Sequence, residues 1–452
     1  MKPSFIRFAT GPGAGLALGL PLLLTSSLHA QTDEPAEGFR DLGDVIDQKE
    51  LEAMTELIKK DIESLRGKSF PRPTRVAVTT SEEFIAYAKK QLEEDTTPEE
   101  MAAEEAVAKL LGMLPVEMDL QKEMLGFLES QVGGFYDPET ESFYLMDSFT
   151  GGLAKVILAH ELTHALDDQL YDIDGTRAAF EGNSDRVLAY HGVVEGSGTA
   201  VMNAWSLDNM DQIAGVDLDQ ASALGATDEA PPYLWRPLMA TYLRGSLFLN
   251  RTDSVLASTR MPQRDDFHYA FQQPPRSTEQ LLHPEKYWNA KDRDEPIELD
   301  FREDDVPEGW KVLKEDTLGE LVLACVIADL DDRGGMPTGI ASLSTEYTFR
   351  ASEGWGGDRV LLLGKGAARL LVLETRWDTE DDAREFDQAL ESLDGHLRGA
   401  AAGLAGEAGE HGVLRLFDRA GKSVTFLSWY GVPRREVAGA VATLRAVEPD
   451  AD

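Results

Sequence analysis

Apolar positions along this chain recur with two periods, and the change of period divides it. From 44 to 66 they fall at helical spacing (Ile46, Leu51, Met54, Ile58, Ile62, Leu65), and Phe70-Pro71-Arg72-Pro73 ends the run. Arg75–Thr79 alternates as a strand does. Ser81, with Glu83 in the first turn, opens another helix. Further amphipathic helices are predicted at 98–114 and 118–130. Residues 132–136 and Ser142–Met146 read as two strands joined by Asp137-Pro138-Glu139-Thr140. The run 153–168 is apolar enough for a core helix, and a second helical pattern spans 177–205 beyond a turn at 171–175.

Downstream, 208–232 is mixed and acidic, with the features of a surface loop or lid. Helical spacing returns at 233–256. Ser277 with Gln280 makes a capping box, and the charged stretch 289–308 marks a boundary holding a short strand at 297–301. A strand or turn and then an apolar helix follow within 310–330, and 331–337 is turn-like. From Tyr347 the pattern becomes strand, strand, helix, twice: 359–363 and 369–374 with a helix at 379–397, then 413–417 and 423–429 with a helix at 433–447. The glycine-rich 354–358 has no phosphate-loop pattern and reads as a tight turn. The predicted fold class is α+β: a mainly helical domain at 44–295 with a small N-terminal sheet, a connecting segment at 296–345, and a C-terminal α+β domain at 346–452. That last domain is expected to be a four-stranded sheet with helices on one face.

Composition narrows the setting. The chain has 452 residues, and 43 basic against 81 acidic side chains leave a net charge of −38, which argues against nucleic acid or an anionic membrane surface as a partner. Lys2 and Arg7 precede an apolar stretch at 13–24 that is too short to span a bilayer, and small residues lead to Ala30. Residues 1–30 therefore read as a signal peptide followed by a disordered linker at 31–43. An extracytoplasmic protein with no stable membrane span after cleavage is expected. The single cysteine, Cys325, lies in an apolar run, where core packing accounts for it.

The chemistry lies in the 153–168 helix, where His160, Glu161 and His164 form H-E-L-T-H. Histidines four apart share one helix face and converge on one ion, while Glu161, about 100° round, reaches a water on that ion without ligating it. This is the H-E-x-x-H arrangement of zinc metallopeptidases. A catalytic zinc needs a third protein ligand and an open position. Glu195 is the candidate, because the second helix carries it back across the first and the flanking Gly196, Ser197 and Gly198 permit close approach. His191, one turn earlier, is the rival. Peptide hydrolysis also calls for a donor to the oxyanion; His283 is the first candidate, with Tyr287, Tyr242 and Tyr136 as alternatives.

H-E-L-T-H-A followed by a glutamate on a later helix is similar to the gluzincin metallopeptidases, the thermolysin-like branch of the zincins. In that family an aspartate four residues after the ligand glutamate supports a ligand histidine. Thr199 stands there in this chain, so the support must differ. More of the chain resembles a poorly characterised group of secreted bacterial and archaeal H-E-x-x-H proteins. That resemblance rests on Gly134-Phe135-Tyr136-Asp137-Pro138, Val194-Glu195-Gly196-Ser197-Gly198-Thr199-Ala200, Ser277-Thr278-Glu279-Gln280, His283-Pro284-Glu285-Lys286-Tyr287 and Gly354-Trp355-Gly356-Gly357-Asp358. It implies a zincin fold, a zinc cofactor and peptidase activity on peptide or protein substrates, with the hairpin at 131–146 as a cleft wall pairing with an extended peptide. The competing expectation is a zincin-fold scaffold with a structural or vestigial metal. Retention of Glu161 speaks against it.

Overall fold

The computed structural model describes residue 46 and residues 48–131, 133–137, 142–213, 230–291, 293–328, 344–406, 409–444 and 446–447. The expected signal segment and linker, the turn at 331–337, all but the ends of the acidic loop 208–232 and the tip of the 137–140 turn lie outside the described residues.

The fold is α+β. Its first part contains α1 (Gln48–Arg66), β1 (Arg75–Thr79), α2 (Ser81–Asp95), α3 (Pro98–Leu110), α4 (Leu120–Gln131), β2 (Gly134–Asp137), β3 (Ser142–Met146), α5 (Gly151–Tyr171), α6 (Ile173–Ala178), α7 (Ser184–Asp208), α8 (Pro232–Leu249), α9 (Arg264–Gln272), α10 (Thr278–Leu282) and α11 (Glu285–Trp288). The rest contains β4 (Asp300–Phe301), β5 (Lys311–Asp316), α12 (Gly319–Ile327), β6 (Trp355–Lys365), β7 (Ala368–Trp377), α13 (Glu380–Ser392), α14 (Asp394–Ala405), β8 (His411–Asp418), β9 (Ser423–Tyr430), α15 (Arg434–Val441) and β10 (Ala446–Val447).

Local chemistry sets the helix starts. Thr80 caps α2 with Glu83 returning the bond, and Thr97 does the same with Glu100 ahead of Pro98 in α3. The stretch expected as one helix from 177 breaks instead. Gly182 takes φ +88°, and the Asn183 side chain accepts from Arg186 N at 2.9 Å, so α7 starts at Ser184.

The small sheet has the order β1-β3-β2, with β1 parallel and β2 antiparallel to β3. It lies against α5. All four residues of β2 are buried, so this edge is covered rather than presented to solvent as a cleft wall. α7 crosses α8 at backbone contact: a Cβ on Gly245 would overlap the Gly192 carbonyl, and one on Gly196 would overlap Gly245. Glycine at these positions brings α7 and its side chains into a fixed place.

The C-terminal sheet differs from expectation in two ways. It has five strands, ordered β5-β6-β7-β9-β8, because β5 joins from the stretch read as a connecting segment. It is also covered on both faces. Val360, Leu362, Leu371 and Phe426 join the main core with Phe386 of α13, whereas Leu361, Leu363, Leu370 and Trp429 pack with Phe301, Trp310 and Val437 of α15. The unbroken Leu361-Leu362-Leu363 run already has the form of a strand buried on both sides. The tail expected as one helix ends at Val441 and finishes as β10, antiparallel to β4.

Buried carboxylates join the two parts at the start of α7. Ser184 N and Oγ donate to Asp316, Asp185 N donates to Thr317 O at 3.1 Å, and Asp185 Oδ1 accepts from Thr278 N at 3.0 Å and from Thr278 Oγ1. Asp358 accepts from Leu318 N, Gly319 N and Trp355 Nε1 at 2.8–2.9 Å. The glycine-rich 354–358 is thus the beginning of β6, with its aspartate holding the start of α12, and not a free-standing turn.

Candidate metal centre

α5 places His160 and His164 one turn apart, with ring centroids 4.5 Å apart and planes at 90°. α7 delivers Glu195 between them. His160 Nε2 and His164 Nε2 are 2.9 Å apart, and Glu195 Oε2 lies 3.1 Å from the first and 3.4 Å from the second. Ligands at about 2.0–2.2 Å around one tetrahedral ion are separated by about 3.3–3.6 Å, so the three donors are arranged as a slightly contracted ligand set. All three are buried, as is Glu161. His191 Nε2 is 3.5 Å from the other glutamate oxygen, Oε1, and backs the ligand instead of joining the triangle.

The surrounding packing explains the small residues after Glu195. A Cβ on Gly198 would stand 2.7 Å from His160 Cε1 and 2.8 Å from His164 Cε1, so only glycine lets both imidazoles lie against α7. Asp167, one turn beyond His164, accepts from Ser197 Oγ on α7 and pairs with Arg66 of α1. This buried link ties the two ligand-bearing helices together. Tyr242 of α8 stacks on His160, with centroids 5.7 Å apart and planes at 18°.

Electrostatics distinguishes the two glutamates. Burial disfavours ionised Glu195, but His164, His160 and His191 outweigh it and hold the carboxyl well below its usual range. Glu161 is pushed well above that range by burial and by the Glu195 charge. Neither Glu161 oxygen has a hydrogen-bond partner among the described residues. A buried carboxylate without partners is costly, and a cation and its water beside it would answer that cost. Burial lowers His160, with His164 adding to the effect. It also brings His191 down to about 4 against the pull of Glu195, leaving neutral imidazoles suited to ligation. The donor set fits zinc: two imidazoles and a carboxylate with a fourth position left to water.

The expected oxyanion donors part company. Tyr242 is against a triad histidine. The His283 imidazole is engaged elsewhere, with Nε2 3.0 Å from Glu320 Oε1 of α12, and this pairing raises its pKa despite burial. Tyr287 donates to Gln273 O, and the Tyr136 hydroxyl lies 3.4 Å from Asp168 Oδ2. Sequence reasoning did not find a second carboxylate group, Glu279, Asp294 and Asp378. Lys286 Nζ sits 2.6, 2.9 and 3.0 Å from them, so an ammonium already occupies its centre.

Residues 310–442 match the model of a family described as a domain of unknown function (DUF8575), a span running from β5 through α15. The triad lies before that match. No curated protein and no solved structure matches the chain.

Proposed function

We propose that this chain is a zinc-dependent metallopeptidase of the gluzincin type, acting outside the cytoplasm on peptide or protein substrates. The observation that carries the reading is the partnerless buried Glu161 carboxylate beside three converging donors. His160, His164 and Glu195 would hold the metal. When bound, zinc would supply Lewis acidity and lower the pKa of a bound water. Glu161 takes the proton of the attacking water on a carboxylate oxygen and returns it to the leaving amine. Tyr242 is assigned the oxyanion role, because its ring lies against His160. The extracytoplasmic setting rests on the basic and apolar pattern of residues 1–30.

Complete burial of the four site residues favours a second reading, a scaffold with a closed structural metal. Glu161 separates the two, since a structural site has no use for a base. Casein or peptide-library cleavage by purified protein and by Glu161→Gln tests this. Metal content should be equal, and hydrolysis should fall about 10²–10⁴-fold in the variant. Metal in both proteins with no hydrolysis by either would move the assignment to the scaffold.

A further inference from the structure

A cavity of about 1190 Å³ opens where α5 ends, with Asp168 and Tyr171 of that helix in its wall beside Phe180, Arg186 and Arg276. A smaller one of about 240 Å³ shares Phe180, Arg186 and Arg276, so these residues stand where the two cavities meet. The acids around the larger cavity are engaged. Asp168 accepts from Ile173 N, Asp172 from Gly175 N, Asp174 pairs with Arg177, and Glu295 pairs with both Arg276 and Arg293. Arg276 has Glu298 as well. Arg186 differs: among the described residues no carboxylate lies within ion-pair distance of it, and its Nε is buried without a partner. Its guanidinium carbon sits 4.1 Å from the centre of the Phe180 ring. A guanidinium over an aromatic ring can still present its terminal N–H groups to a planar acceptor. Burial and the neighbouring Arg276 charge disfavour the cation and outweigh the Glu298 and Glu295 charges that favour it, a balance that a bound anion would shift toward the cation.

We propose that Arg186 recognises a carboxylate of the substrate peptide in this cavity and sets a specificity for acidic groups. The proposal rests on the metallopeptidase reading. Asp168 in the cavity wall lies one helical turn beyond His164 on the same face of α5, so the cavity begins about 6 Å along that helix from a proposed metal ligand. The recognised group belongs to the part of the substrate that enters this cavity. It is either an Asp or Glu side chain or the peptide's own C-terminal carboxylate.

The test is capture of random nonapeptides by full-length Glu161→Gln protein, a readout that does not require turnover. One library is amidated at its C-terminus and the other is left as the free acid. Enrichment of Asp or Glu at one position in the amidated library, or of free acids over amides, is expected at about tenfold and identifies which carboxylate is read. The enrichment should vanish in the Glu161→Gln, Arg186→Gln double variant and survive in part with Arg186→Lys, while metal content and melting temperature stay unchanged. A captured pool with no acidic preference, a preference that persists without Arg186, or no capture at all would overturn the proposal. Absence of hydrolysis by the parent protein alongside an intact acidic preference would instead count against the metallopeptidase reading.

Discussion

Single atoms decide whether the three donors can meet. Gly198→Ala puts a methyl group against both imidazoles; the expected outcome is a folded, helical protein by circular dichroism with at least tenfold weaker metal binding. Unchanged affinity would remove the steric role given to Gly198. Asp167→Ala leaves Arg66 buried without its carboxylate partner, and breaking such a pair costs about 3–5 kcal/mol, to be read as a drop in denaturation midpoint. Tyr242→Phe should lower kcat about 10–10³-fold with KM little changed. The H-E-x-x-H pair was legible because helix geometry alone places residues four apart on one face. Glu195 was legible because the small residues around it advertise close packing. Arg66 was not, since nothing in its neighbourhood indicates a partner 101 residues away.

At the level of elements, the start of α7 is held by two carboxyl groups of opposite tendency: burial opposes charge on Asp316, but Lys314 and Ser184 hold it below its usual range, whereas Asp185 resists ionisation. Burial raises Asp185 to about 7; Asp358 and Glu320 push the same way, and its bonds from Thr278 oppose them. An unfolded aspartate titrates near about 3.9, so the native state binds the extra proton between about pH 4 and 7. Stability from this group is full below pH 4 and is lost as pH rises through 7. In Asp185→Asn that decline should flatten, and denaturation midpoints of the two proteins measured from pH 4.5 to 7.5 should not run parallel; parallel profiles would contradict the assignment. Element types were largely readable from period and caps. The break before α7 was readable in principle from Gly182-Asn183, a stop and a cap that hydrophobic spacing alone obscures. The stretch after residue 310 was read as a strand or turn, but its place as the fifth strand was not readable, because an edge strand acquires that place only from its pairing with β6.

For the whole molecule, one main hydrophobic core takes in residues from Ile46 to Phe426, on both sides of the start of the DUF8575 match at residue 310. The C-terminal sheet is thus part of what holds α7, and with it Glu195, in position. A net charge of −38 implies self-repulsion that salt screens, with the Debye length falling from about 10 Å at 0.1 M to about 3 Å at 1 M. Melting temperature should therefore rise over that range, and a flat or falling profile would count against net repulsion as a brake on stability. The central claim is that His160, His164 and Glu195 form one zinc site, and zinc stoichiometry of the purified chain and of Glu195→Ala tests it most directly. The expected result is about one zinc per parent chain and little in the variant; no zinc in the parent, or full zinc in Glu195→Ala, would contradict it.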